Sequence, residues 1–150
     1  MSAIANIAVY DGAATPVLHT LVPVSVTRDR GGILAYWREQ LASVPTEAQV
    51  WATMKLDTLK GGVVRAEITV GVPVMETVTN QNAAGYTAAP KVAYMDKNVW
   101  TSFHHPRSTI TSRRLCRQLL TNISNNISTS VAAATSGPAS ELIDSQVAPT

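Results

Sequence analysis

Between Trp51 and Val74 the chain alternates apolar and polar residues twice over. In "VWATMKLDT", Val50, Ala52, Met54 and Leu56 fall on one side, and Trp51, Thr53, Lys55 and Asp57 on the other. In "VVRAEITVGVPV", Val64, Ala66, Ile68, Val70 and Val72 oppose Arg65, Glu67, Thr69 and Gly71. A period of two predicts strands with one buried and one polar face. The intervening "LKGG" at 59–62 places glycines where a hairpin turn needs positive φ. That turn pairs the two strands and merges their polar faces into one surface.

Further strands are expected at "NIAVYDG", at "VLHTLVPVSV" and at "ILAYWRE", separated by the turn "DGAATP" and the loop "RDRGG". Pro23 inside the second run predicts an edge strand or a bulge. The long stretch "METVTNQNAAGYTAAP" has no periodicity, and loops of such length usually make contacts or carry function. "KVAYMDKNVWTSFHH" follows as another strand, with Tyr94, Asp96, Asn98 and Trp100 on one face and Met95, Val99 and Phe103 on the other. Lys97 falls among the apolar set, so it is expected at a sheet margin or snorkelling outward.

After Pro106 the period lengthens. Ser108 or Thr109 can cap a helix, and Cys116, Leu119, Leu120, Ile123, Ile127 and Val131 recur at spacings of three and four. "TNISNNISTS" is poor in helix formers, so the helix relies on tertiary packing or breaks near Asn125-Asn126. Gly137-Pro138 ends the pattern, and "PASELID" predicts a short second helix.

Strands first and helices last imply an α+β fold, an antiparallel sheet with helices on one face. The 150 residues form one domain, β-rich over about 4–104 and helical over about 108–147. An α-helix with its side chains is about 10–12 Å wide. Five strands at ~4.8 Å each span about twice that. One helix cannot cover its own sheet, so a partner chain is expected.

The composition is 45% hydrophobic and 15% charged with a net charge of +2, which tolerates a nucleic-acid partner without requiring one. Cys116 is the only cysteine, so no disulfide forms within the chain, and it is expected to be a small buried apolar residue. The opening "MSAIANIAVYDG" is unlike a signal peptide, and no apolar run approaches a membrane span. His104-His105 point to opposite faces of a strand, a poor arrangement for one metal. There is no nucleophile elbow and no phosphate loop, so no catalytic residue, metal ligand or cofactor is expected.

Arg107, Arg113, Arg114 and Arg117 cluster where they oppose the helix macrodipole. They form either a solvated face or a site for a phosphate or acidic partner. The polar sheet face gathers Trp51, Thr53, Lys55, Asp57, Arg65, Glu67, Thr69, Tyr94, Asp96 and Asn98. Aromatics among short polar side chains and bases suit the stacking and reading of unpaired bases. Asp57, Glu67 and Asp96 limit attraction to phosphates. A plain solvated face fits the same composition.

The order of these elements is distinctive. An N-terminal hairpin, an "AYW" strand, two long strands joined by a tight turn and ending in "VPV", a long loop, a strand beginning "AYMDKN" and a helix start at "ST" resemble the coat proteins of single-stranded RNA bacteriophages, the leviviruses. The resemblance runs from Ile7 to about Val147. It implies a small hairpin, a five-stranded antiparallel sheet and two C-terminal helices, with two chains interlocked so that each covers the other's sheet. It further implies an icosahedral shell assembled in the bacterial cytoplasm around single-stranded genomic RNA, a virion location, no membrane and a maturation protein as a further partner.

The residues 75–90 would surround the symmetry axes, and the inner sheet would bind an RNA hairpin as a translational repressor. The family's RNA-facing positions fall on Thr53, Lys55, Arg65, Glu67, Thr69, Tyr94, Asp96 and Asn98. Tyr94 matches a base-stacking tyrosine and Thr53 a threonine lining an adenine pocket. Glu67 stands in place of a neutral hydroxyl, Thr69 in place of a lysine and Asp57 in place of a base, which points to weak discrimination among hairpins. Two other classes fit the residues alone: a dimeric RNA-binding protein without a shell, and an α+β enzyme using His104, His105 or Asp96.

Overall fold

The structure is a computed structural model that describes residues 4–29, 31–77, 85 and 91–150. Six strands form one antiparallel sheet in sequence order: β1 (Ile7–Tyr10), β2 (Leu18–Asp29), β3 (Gly32–Arg38), β4 (Trp51–Thr58), β5 (Val64–Met75) and β6 (Val92–His104). β1 pairs with the first part of β2 as a small hairpin, and the rest of β2 opens the five-stranded sheet. The register between β2 and β3 shifts between Pro23 and Ser25, the bulge expected of a proline in a paired strand. Strand pairing continues through Asp29 and resumes at Gly32, so much of "RDRGG" is strand rather than loop.

The turn between β4 and β5 closes as the glycines predict. Gly61 and Gly62 have φ of 89° and 78°, and Leu59 and Val63 bond across it at 2.8 Å. The loop expected over 75–90 falls mostly outside the described residues.

α1 spans Ile110–Ser124, and the Thr109 hydroxyl accepts the Ser112 amide at 3.2 Å as its N-cap. Asn125 caps the other end and Asn126 turns to φ 51°, so the helix breaks where its helix formers run out. Ile127 and Val131 therefore lie beyond it. α2 begins at Pro138 and, after Ser140, continues as a wider π-type turn over Glu141–Ser145.

That C-terminal turn, rather than α1, covers the sheet. Leu142, Ile143 and Ala148 pack with Leu21, Ala35, Trp37, Ala52, Met54 and Ala66 to make the core. Trp37 is fully buried and its indole N–H donates to the Ala5 carbonyl at 2.9 Å. The cover is incomplete. Val70 and Val72, expected to be buried, stay exposed beside an apolar hollow of about 600 Å³ lined also by Ile7, Val9, Leu21 and Met54.

Candidate nucleic-acid interface

Cross-strand partners carry their side chains on the same face of a sheet. Register therefore sorts the polar face into rows running β3 to β6: Arg38, Trp51, Gly71, Lys97; then Tyr36, Thr53, Thr69, Val99; then Leu34, Lys55, Glu67, Thr101; then Gly32, Asp57, Arg65, Phe103. Thr53, Lys55, Arg65, Glu67 and Thr69 come together as expected. Thr53, Lys55, Arg65 and Glu67 are partly exposed, whereas Thr69 is buried among its neighbours.

Tyr94, Asp96 and Asn98 do not join them. They pair with Val74, Val72 and Val70, on the face that carries Trp100 beside Ile68 and the core. Expecting all eight residues on one face is thus incorrect. Facing in β6 is set by its register with β5, and a shift of one residue would invert every side chain. The strand's own pattern misleads because β6 ends the sheet, so its apolar Met95, Val99 and Phe103 remain exposed on the polar face. Lys97 among apolar residues was the available signal of this inversion. It lies on the polar face of β6, the last strand of the sheet, and so at the sheet margin expected of it. Arg38 and Tyr36 are the other members that sequence reasoning missed.

Charge on this face is partly consumed within it. Asp57 is buried, accepts Arg65 Nε at 2.9 Å with a second bond to Nη2, and has Lys55 Nζ 3.4 Å away. The Arg65 hydrogen bond holds the Asp57 carboxyl below its ordinary 3.8, against the opposing effect of burial. Four cations (Arg38, Lys55, Arg65, Lys97) face two carboxylates (Asp57, Glu67) across these rows. An excess of positive charge remains.

The arginines of α1 are engaged within the chain rather than free for phosphate, although Arg114 keeps 35% of its side chain exposed. Arg114 and Arg117 converge on the buried carboxylate of Asp144, and Arg113 donates to the Asp144 carbonyl at 2.7 Å and to the Ser108 carbonyl at 2.7 Å. Burial would raise the Asp144 pKa, but the hydrogen bonds and charges of Arg117 and Arg114 outweigh it and hold the group below 3.8.

With its basic stripe turned inward, α1 presents its apolar stripe outward: Leu115, Cys116, Leu119, Leu120 and Ile123 are all exposed. Cys116 is therefore not the buried residue expected, because no described part of its own chain covers that stripe. Among the described residues, no group of three or more His, Cys, Asp or Glu is placed to hold a metal ion, and no helix is long and apolar enough to cross a membrane.

Three comparisons bear on this geometry. The family model "Levivirus coat protein" matches residues 2–139. A search of the curated proteins gives no match. Among solved structures, the virus-like particle of bacteriophage EMS014 is 28% identical with a TM-score of 0.71, covering 99% of both chains. That of bacteriophage ESE058 is 21% identical with a TM-score of 0.69 over 97% of this chain and 98% of its own. The bacteriophage GA capsid protein shares the fold at 17% identity, with a TM-score of 0.58 over 95% of each chain. The hairpin, the five-stranded antiparallel sheet and the C-terminal helices described above are those of this group. The chain therefore belongs to the levivirus coat protein family: it is a structural protein of a viral capsid and not an enzyme.

Proposed function

We propose that two copies of the chain interlock, each α1 lying on its partner's sheet, and that such dimers close into a virion shell around single-stranded RNA. The observation that carries this reading is the inverted helix. Leu115 at 60% exposure, Leu119 at 54% and Ile123 at 76% form a stripe of a kind that monomeric proteins rarely leave in water. The hollow beside Val70 and Val72 is the matching unfilled surface. β6, thirteen residues long, ends the sheet with an open edge among the described residues, and two such edges can pair. The relatives from phages EMS014 and ESE058 form virus-like particles, which supports the same assembly here.

In such a dimer the apolar faces are consumed and the polar sheet face is left for RNA. Thr53, Lys55 and Glu67 belong to that RNA-contacting surface, joined by Arg38 and Lys97, while Arg65 is engaged by Asp57 within it and Thr69 lies buried beneath it. Tyr94, Asp96 and Asn98 stand on the helix-side face, toward the joint between the two copies. With Arg65 held by Asp57 and Glu67 in the middle of the surface, contact is general rather than specific to one hairpin. Assembly takes place in the bacterial cytoplasm, and a maturation protein completes the particle.

Light scattering and negative-stain electron microscopy of the expressed chain test the reading. Particles of megadalton mass that carry nuclease-protected RNA are expected. Monomers or isolated dimers at every concentration would overturn the shell, and empty shells alone would overturn the RNA contact.

A further inference from the structure

We infer that Trp51 is a stacking platform for one unpaired base of the enclosed RNA, with Lys97 and Arg38 beside it to take the adjoining phosphates. The inference rests on the reading that the polar sheet face meets RNA, and assigns the stacking role to a residue on the face opposite Tyr94 of β6.

The platform is built from one row of the sheet. Gly71 sits between Trp51 and Lys97, and a Cβ on it would come within 2.3 Å of indole Cε2 and 2.5 Å of Cζ2. The indole therefore lies across Gly71, occupying the space of the missing side chain. Lys97 Nζ stands over the ring, 5.8 Å from its centroid. Tyr36 flanks it from the next row, with ring centroids 6.3 Å apart and planes tilted by 49°.

The surrounding charge selects the ligand. Arg38, the cross-strand neighbour of Trp51, is partly exposed on the same face. Two cations thus flank an aromatic plane, and the carboxylates of the polar face lie at least two rows away. A neutral π-face bounded by anionic groups matches this arrangement, which is the description of a nucleotide with its base unstacked. On binding, the base takes the outer ring face, and the Lys97 ammonium exchanges its contact with the ring for one with phosphate. Every base has a π-face, so the site is tolerant of sequence.

The test uses full-length protein and two probes of equal length, oligoadenylate and an abasic oligonucleotide that keeps the phosphates. Oligoadenylate should bind the unaltered protein more tightly than the abasic strand. Trp51→Ala should weaken oligoadenylate binding by roughly 5- to 150-fold and leave the abasic strand unaffected. Trp51→Phe should keep most of the affinity, which separates stacking from a folding defect that circular dichroism would also report. Lys97→Gln should instead lower the salt slope for both probes by about 0.7. Equal loss for both probes in Trp51→Ala, or no loss at all, overturns the platform while leaving RNA contact intact. Failure of the unaltered protein to bind either probe overturns both the platform and the RNA-facing reading beneath it.

Discussion

Arg117 holds Asp144 with two nitrogens, Nε to Oδ1 and Nη2 to Oδ2, both at 2.9 Å. Arg114 Nε adds a third contact at 3.0 Å. Through this cluster the start of α1 is fastened to the C-terminal turn whose Leu142 and Ile143 enter the core. The arginines oppose the helix macrodipole at low cost because a buried carboxylate faces them.

Asp144→Asn should therefore cost about 3 kcal/mol, since removing one member of a buried pair leaves the remaining charges uncompensated. The midpoint of urea denaturation measures this. A change within about 0.5 kcal/mol, usual for surface substitutions, would show the cluster to be solvated.

Stability should fall as the solution is acidified, in two stages. Burial, with the Arg113 charge added, holds His104 below its ordinary 6.5, and its Nε2 has no hydrogen-bond partner among the described residues. Asp57 and Asp144 are held below 3.8. In each case the unfolded chain binds more protons than the folded one, so stability rises with pH. The histidine contribution is complete above 6.5 and is lost as pH falls below it; the aspartate contributions go later, below 3.8. His104→Gln should remove the first stage alone in a series of denaturation midpoints against pH.

Ile123→Asp separates the interlocked dimer from an isolated chain. At 76% exposure the substitution would cost no more than about 0.5 kcal/mol in a monomer. Buried against a partner, it places a charge in an apolar contact, and the chain should become insoluble or unfolded, because obligate dimers often lack a folded monomer. Recovery of a folded monomer, judged by sedimentation and circular dichroism, would sink the dimer.

Arg65→Ala should affect folding more than RNA binding. Its guanidinium is engaged with Asp57, which would be left buried with only Lys55 at 3.4 Å. An expected loss of about 2 kcal/mol reflects a buried charged acceptor deprived of its main donor. The salt slope of RNA binding should stay nearly unchanged, and a fall of a full phosphate contact would show that Arg65 reaches the RNA after all.

Much was legible in the chain itself. Alternation in β4 and β5, the glycines between them, Pro23 and a helix start at Ser108 or Thr109 are local signals, written in residues a few positions apart, whereas the structure chose the break at Asn125-Asn126 over a longer helix held by packing. They determined the elements, their order and the α+β class, and the width of a sheet against a helix already called for a second chain. What the elements face was decided only by tertiary structure. β6 reads equally well with either face toward the core, and pairing with β5 put Lys97 on the polar side and Tyr94, Asp96 and Asn98 on the other. α1 has an apolar and a basic stripe, and the basic one turned inward because Asp144, some thirty residues later, supplies its counter-charge. Such choices depend on contacts between residues distant in sequence, and the local pattern offers at most a hint of them, as Lys97 does in β6.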